Sequence, residues 1–166
     1  MLIKMRSLGR LVALSFSLVY LGWAYNGFMM SIPQPVMGAT STSRARVALS
    51  KVGAPQDKIN DLSIAVASAA AITDISPELL VALIKTESEF DYEAVSNKGY
   101  KGLMQTPMAT MKWAEVDVLI GAKILQEKLR YSKDDLKLAL ALYKGGNNKL
   151  AKRYAAETYQ LYRSLL

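Results

Sequence analysis

Apolar side chains recur at intervals of three and four residues along most of the chain, and this spacing is typical of amphipathic helices. No stretch combines sustained apolar and polar alternation with hairpin signals, so strands are not predicted. Helices are predicted within 55–74 and 117–130, from Ser132 to Gly145-Gly146, and from Asn148 to the C-terminus. The first of them carries the narrow stripe Ile59, Leu62, Val66, Ala69 and Ala70. The spacing therefore predicts an all-α fold.

A further helix has a well-marked beginning at Ser76. Ser76 can cap the helix, Pro77 suits its first position, and Glu78 places an acid in the first turn. The helix is predicted over 77–88, with Leu80, Leu83 and Ile84 as its buried stripe. The polar segment 89–101 is predicted as a loop, and a short helix is expected near Pro107 to Met111.

The N-terminal 38 residues have the pattern of an export segment. Three basic and no acidic residues occur there, and an uncharged run covers residues 11–30. This pattern predicts a signal peptide, with an uncleaved anchor in the inner membrane as the alternative. Because positive charge stays inside, both place residues 40–166 outside the cytoplasm, in the periplasm or cell envelope. The predicted organisation is an export segment (1–38), a linker with a first short helix (39–54) and one domain (55–166). The polar part of the linker, residues 39–46, is predicted to be mobile.

The chain contains neither histidine nor cysteine. This excludes a Ser-His-Asp triad, a thiol nucleophile, disulfides and an ordinary zinc site, which need imidazole or thiolate groups. Acid–base chemistry at neutral pH therefore falls to carboxylates, tyrosines or lysines. We expect neither a metal nor a cofactor.

One carboxylate falls on an apolar helix face. Glu87 follows Leu83 by four residues and Ile84 by three, so it continues the buried stripe of the helix over 77–88. Burial and the negative end of the helix both favour the protonated form of a carboxyl group, which a general acid requires. The alternative is a glutamate partly exposed at a fraying helix end.

Several short motifs in order resemble the lytic transglycosylases of the soluble type. Glu87-Ser88-Glu89-Phe90 is similar to the family's ES-x-F segment, Ala94-Val95-Ser96 to A-x-S, and the run 99–105 (GYKGLMQ) to G-A-x-G-L-M-Q. The run 121–125 (GAKIL) is similar to G-A-x-Y-L, the run 139–146 (ALALYKGG) to A-x-A-Y-N-A-G, and Glu157-Thr158 to a late E-T pair. The matches extend from about Ser76 to the C-terminus.

The resemblance implies a lysozyme-like helical domain with a groove for peptidoglycan glycan strands. Members cleave the β-1,4 bond between N-acetylmuramic acid and N-acetylglucosamine and leave a 1,6-anhydro end. Glu87 would protonate the glycosidic oxygen and then take the proton of the muramoyl 6-hydroxyl. Ordinary glycosidases need two carboxylates, whereas a substrate that supplies its own nucleophile needs only one.

The resemblance also implies substrate-binding residues. Ser96 would bind the substrate acetamido group, Gln105 would project into the groove, and Gly102 would allow close backbone approach beside Met104. For Ser96 the alternative is a plain loop serine, for Gln105 an exposed helix residue, and for Met104 a core position.

Two more residues carry over from the later motifs. Tyr143 would orient Glu87 or hold a sugar, with a core aromatic as the alternative. Glu157 would be a late site residue or, alternatively, a surface residue.

The chain departs from the family pattern in several places. Lys144 stands where the family has asparagine, which replaces an amide with a cation. Tyr100 replaces a frequent alanine and could stack on a sugar ring. Leu161 holds the place of a family tyrosine, with Tyr162 next to it. The stretch after Gln105 is short, which predicts a trimmed groove.

Other functions are compatible with the sequence. A lysozyme-type muramidase would need a second acid, for which Glu157 and Asp91 are the candidates. A catalytically silent cell-wall-binding or assembly subunit would keep the groove without turnover. No nucleic-acid-binding motif accompanies the basic cluster Lys149, Lys152 and Arg153, so no nucleic-acid partner is expected. The expected partners are peptidoglycan strands, the inner membrane through residues 11–30, and an envelope-spanning machine that must cross the wall.

Overall fold

The computed structural model describes residues 37–108, 113–146 and 148–166. In these ranges the secondary structure is mainly helical, which confirms the predicted fold class. The helices are α1 (Met37–Lys51), α2 (Ile59–Thr73), α3 (Pro77–Ser88), α4 (Ala114–Tyr131), α5 (Leu136–Tyr143) and α6 (Lys149–Leu165). Helix α2 packs between α1 and α4, and α5 packs against α4 and α6.

Helix α3 is the central helix of the domain. The six residues from Leu79 to Ile84 are all at most 5% exposed, so the helix is apolar on every side over this stretch. A helix with this pattern must be surrounded by other elements, and α1, α2, α4 and α6 all contact it. Its predicted start is confirmed, because the Ser76 side chain accepts a hydrogen bond from the Leu79 amide. Because the helix is buried and contacted by four other helices, its last turn, where Glu87 lies, is held in place relative to the core.

The prediction of a mobile linker over 39–46 is wrong. Helix α1 includes all of these residues. Ala45, Ala48 and Leu49 lie in the core at helical spacing, and the Arg44 guanidinium donates to both carboxylate oxygens of Glu78 on α3. The polar sequence obscured this helix because only one narrow face of it is apolar.

The boundary between α4 and α5 also differs from the prediction. Ser132 ends α4 instead of capping the next helix. The chain then passes through two residues with positive φ, Lys133 and Asp134. The cap of α5 is Asp135, whose carboxylate accepts a hydrogen bond from the Leu138 amide. The start of the last helix agrees with the prediction, since Asn148 caps α6.

The segment between α3 and α4 is built from turns. Isolated antiparallel bridges join Val95 to Lys101 and Lys101 to Thr106. The segment lies very close to α4 at Gly121, where an added Cβ would be 2.5 Å from the Cβ of Met104. Pro107 and Met108 lie in a turn, and the rest of the short helix expected there falls outside the described residues.

None of the described helices combines the length and apolarity needed to cross a membrane. The predicted signal peptide or anchor, including residues 11–30, lies outside the described part of the chain. It stays a prediction.

Candidate active site

A cavity of about 340 Å³ opens where the end of α3 meets three other parts of the chain. These parts are the turn segment between α3 and α4, the end of α5 and the start of α6. The described residues lining the cavity are Glu87, Ser96, Asn97, Lys98, Tyr100, Gln105, Tyr143, Lys144, Gly145, Asn148, Leu150 and Ala151. Within this set Glu87 is the one acidic side chain.

Glu87 lies in the last turn of α3 with its carboxylate at the inner end of the cavity. Its side chain is only 2% exposed, as its place on the apolar stripe predicts. Its Oε2 lies 2.7 Å from Nζ of Lys144, which follows the last residue of α5. The sequence pattern around Glu87 did not predict that a cation lies beside its carboxylate. The contact joins the end of α3 to the residue that follows α5.

Tyr143 anchors the turn segment to α5. Its hydroxyl donates a 2.7 Å hydrogen bond to the main-chain carbonyl of Met104. Burial, and secondarily the charge of Glu87, raise the pKa of Tyr143 well above its usual value. The phenol is therefore neutral and acts as a donor. The structure supports an architectural role for the hydroxyl, while the ring lines the cavity.

A polar cluster on α3 and α6 lies behind Glu87. The Oγ1 atoms of Thr86 and Thr158 are 3.2 Å apart, and the Thr86 hydroxyl lies 3.3 Å from that of Tyr154. Burial is the main cause that raises the pKa of Tyr154, and the charge of Glu87 and a hydrogen bond to its carboxylate act in the same direction. The phenol of Tyr154 is therefore neutral. Among these residues, Tyr154 is the one that faces Glu87, and the two threonines contact its hydroxyl and each other.

Gln105 lines the cavity from the turn segment, with a positive φ of 47°. Its Nε2 donates to the carbonyl oxygens of Ala94 and Gly102, both at 3.0 Å. Both amide protons are thus used to shape the segment. The Oε1 atom remains as the group that could accept a hydrogen bond from a ligand.

Ser96 also lines the cavity, and its Oγ accepts a 3.0 Å hydrogen bond from the Tyr100 amide. Its hydroxyl proton remains available for a ligand acceptor. Gly102 adopts a positive φ of 72° and supports the turn that presents Gln105. It does not line the cavity, and the close approach to α4 involves Gly121 instead.

Besides Gly102, two residues expected at the site lie elsewhere. The Met104 side chain is fully buried in the core, and only its carbonyl reaches Tyr143. Glu157 is a surface residue of α6, with a side chain that is 57% exposed and paired with Arg153. In the pair Glu157-Thr158, Thr158 is the residue that lies on the inner side of α6, because its hydroxyl contacts that of Thr86.

Sequence reasoning missed several residues of the cavity. Lys98, Asn97, Asn148 and Leu150 line it. None belongs to a quoted motif, and Leu150 was interpreted only as part of the apolar stripe of the last helix. Asn148 was noticed only as a helix cap. Tyr100, noted as a departure from the family pattern, does line the cavity and is 43% exposed. Its ring could therefore contact a ligand.

A small helical domain that presents one buried glutamate in an open polar cavity is typical of the lysozyme-like class. The family model described as the transglycosylase SLT domain matches residues 64–164, and the chain belongs to this family. Membership indicates a peptidoglycan substrate and lytic transglycosylase-type activity at the level of the family. Comparison with curated proteins and with solved structures found no significant match.

Proposed function

We propose that this protein is a peptidoglycan lytic transglycosylase in which Glu87 is the acid and then the base. The observation that carries the proposal is the position of Glu87. It is buried at the inner end of the cavity and is the one carboxylate among the described lining residues. Family membership supplies the substrate class.

In the proposed reaction Glu87 gives one proton to the substrate and takes one back. Protonated Glu87 donates its proton to the glycosidic oxygen as the bond from that oxygen to the muramoyl anomeric carbon breaks. The muramoyl 6-hydroxyl then attacks this carbon, and the Glu87 carboxylate takes the hydroxyl proton. The products are a free 4-hydroxyl on the N-acetylglucosamine side and a 1,6-anhydro ring, and no water is consumed.

The surroundings of Glu87 suit a single-carboxylate mechanism. Tyr154 faces the Glu87 carboxylate from α6, and Lys144 contacts the carboxylate at the wall of the cavity. The Ser96 hydroxyl and the Oε1 of Gln105 face the same cavity and could hold amide and hydroxyl groups of the sugar. Preorganised donors of this kind stabilise charge that develops in a transition state.

Digestion of purified sacculi tests this proposal. Wild-type protein should release muropeptides with 1,6-anhydro ends, which mass analysis detects as products one water lighter than reducing-end products. Glu87→Gln should lower the rate at least about 100-fold, because it removes the general acid. Glu89→Gln, two residues away and with a side chain 82% exposed, is the matched control and should keep the rate.

The products of the same digestion also distinguish the proposed function from the two alternatives. Reducing ends would show a muramidase, and loss of activity in Glu157→Gln or Asp91→Asn would identify its second acid. Both residues are exposed and outside the described cavity lining, so we expect neither substitution to matter. Sacculus binding without any cleavage product at any pH would instead indicate a cell-wall-binding or assembly subunit.

We also propose that the domain acts in the periplasm or cell envelope. The support is the sequence pattern of residues 1–38, where basic residues precede an uncharged run. Fusing these residues to a β-lactamase without its own signal should confer ampicillin resistance, and replacing Lys4, Arg6 and Arg10 by glutamate should reduce it. A retained anchor would leave the fusion in the membrane fraction, whereas cleavage would release it. Ampicillin-sensitive cells carrying the fusion with the unaltered residues 1–38 would refute export.

A further inference from the structure

A tight turn over residues 96–100 presents Lys98 to the cavity. The Ser96 carbonyl accepts a 2.9 Å hydrogen bond from the Gly99 amide, and the Ser96 amide donates a 2.8 Å hydrogen bond to the Tyr100 carbonyl. The Ser96 hydroxyl oxygen accepts a third bond, of 3.0 Å, from the Tyr100 amide. Lys98 lies at the tip of this turn and lines the cavity. The backbone that carries its side chain is therefore held by three hydrogen bonds.

The ammonium group of Lys98 reaches the turn between α5 and α6. A Cβ added at Gly145 would be 4.0 Å from Lys98 Nζ. Gly145 has a positive φ of 111° and also lines the cavity. Because glycine has no side chain, this part of the wall leaves room for a ligand to approach the ammonium group. Lys98 therefore spans the cavity from the turn segment to the end of α5.

The charge of Lys98 is not balanced within the cavity. Of the two lysines among the described lining residues, Lys144 is paired with Glu87, the one acidic residue of this set. None of the ion pairs between described residues includes Lys98. A lysine ammonium group donates three hydrogen bonds and accepts none, and a carboxylate is among the acceptors that bind it most strongly. The cavity therefore offers one unpaired cation to an anionic ligand.

The surroundings of Lys98 fit a peptide better than a sugar. Leu150 lines the same cavity and is 76% exposed, so the site combines a cation with an exposed apolar side chain. The sugars of an intact glycan strand carry hydroxyl and acetamido groups and no free carboxylate. The peptide stem, which is joined through an amide to the muramoyl lactyl group, carries both methyl groups and carboxylates. The stem therefore matches Lys98 and Leu150 together.

We propose that Lys98 is a specificity-determining residue that binds a carboxylate of the peptide stem and directs cleavage to muramoyl residues that carry a stem. This inference rests on the proposed function. The contact holds the muramoyl residue while Glu87 acts on the glycosidic oxygen, so Lys98 contributes to substrate binding and not to proton transfer. Because solvent reaches this ion pair, its effect on the cleavage rate is limited to several-fold.

Neutralising each partner in turn tests the inference. Coupling methylamine to the carboxylates of purified sacculi with a carbodiimide leaves the glycan unchanged and removes the negative charge of the stems. Lys98→Gln should lower the initial rate at low substrate concentration about 3- to 5-fold on native sacculi, and it should have no effect on amidated sacculi. Lys98→Arg keeps the charge and should cleave both substrates like the wild type.

Lys101→Gln is the matched control. It makes the same change in charge at an exposed position of the same turn segment, outside the described lining of the cavity, and should leave both rates unchanged. An equal loss in Lys101→Gln would mean that general attraction to an anionic polymer explains the result, which would overturn the inference. Equal losses of Lys98→Gln on native and amidated sacculi would also overturn it.

A further substrate identifies which carboxylate is bound. An amidase that removes the stems leaves a free lactyl carboxylate on each muramoyl residue. On these stripped strands the wild type and Lys98→Gln should have equal rates. If Lys98→Gln is slower there by the same factor as on native sacculi, the lactyl group is the ligand and the assignment to the stem is wrong.

Product analysis separates this inference from the proposed function. A wild type without anhydro products would refute the proposed function, and sedimentation with native and amidated sacculi would then test Lys98 by itself. Weaker binding of Lys98→Gln to native sacculi alone would support the contact, whereas equal binding of wild type and variant would overturn it. Circular dichroism of each variant checks that the fold is retained, and Lys98→Met supplies a second neutral variant if Lys98→Gln fails to fold.

Discussion

Arg44 and Glu78, 34 residues apart in the sequence, form a two-pronged ion pair in which the guanidinium Nε and Nη2 donate to the two carboxylate oxygens at 2.8 and 2.6 Å. The Glu78 side chain is 8% exposed and that of Arg44 is 52% exposed. The pair joins α1 to the first turn of the central helix. It therefore ties to the core a helix whose sequence is mostly polar.

Removing the cation from this pair should destabilise the domain. Arg44→Met leaves a buried carboxylate without its partner, and we expect the free energy of unfolding to fall by about 1–3 kcal/mol. Urea denaturation measures the change. Arg46→Met is the control, because Arg46 contacts Asn60 on the exposed surface and should cost less than about 0.5 kcal/mol. Equal losses in the two variants would mean that the ion pair does not anchor α1.

Gln105 offers a test of how the turn segment contributes to substrate binding. Gln105→Ala removes two hydrogen bonds that shape the segment, so we expect KM for glycan fragments to rise several-fold and stability to fall by about 1 kcal/mol. Gln126→Ala is a matched control, since Gln126 Nε2 donates a 2.7 Å hydrogen bond to the Thr73 carbonyl outside the cavity. It should lower stability without raising KM. If KM rises in both variants in proportion to the loss of stability, Gln105 has no specific role in substrate binding.

The raised pKa values of three tyrosines determine how the protein should respond to alkali. The pKa values of Tyr143 and Tyr154 are raised mainly by burial, and that of Tyr92 is raised by burial to a lesser degree. The folded protein therefore holds these protons more tightly than the unfolded chain does. The stability that results is fully present below about pH 10, the ordinary value for tyrosine, and is lost as the pH rises above it.

Ultraviolet titration measures this response. In denaturant all nine tyrosines should ionise near pH 10. In the native protein some should ionise only together with loss of the helical circular dichroism signal. Tyr143→Phe and Tyr154→Phe should each decrease the part of the absorbance change that accompanies unfolding. Ionisation of all nine before any loss of helix would show that these phenols are accessible to solvent.

The sequence predicts the helical fold and the position of Glu87 because both depend on local periodicity. The stripe of Leu80, Leu83 and Ile84 extends to Glu87 within a single helix, and the cap at Ser76 fixes its start. These features need no knowledge of distant partners. The resemblance to a family added the chemistry and the cavity residues Ser96, Gln105 and Tyr143.

What the sequence could not predict depends on contacts between distant elements. The polar residues of α1 do not show that Arg44 meets Glu78. Lys144 stands out in the sequence as a departure from the family pattern, but its ion pair with a residue 57 positions earlier requires the fold to bring the residue after α5 to the end of α3. The resemblance implies Glu157 as a late site glutamate, whereas in the structure Glu157 is exposed and the hydroxyl of Thr158 faces inward.

The contact between Thr86 and Thr158 spans 72 residues and brings the last helix against the turn that carries Glu87. Lys144 and Tyr154 reach the same carboxylate from positions late in the chain. A ribosome that has released only the first half of the domain has therefore made the glutamate without its surroundings. The carboxylate of Glu87 meets Lys144 and Tyr154 only after residues 144–158 have been made and α6 has packed against α3.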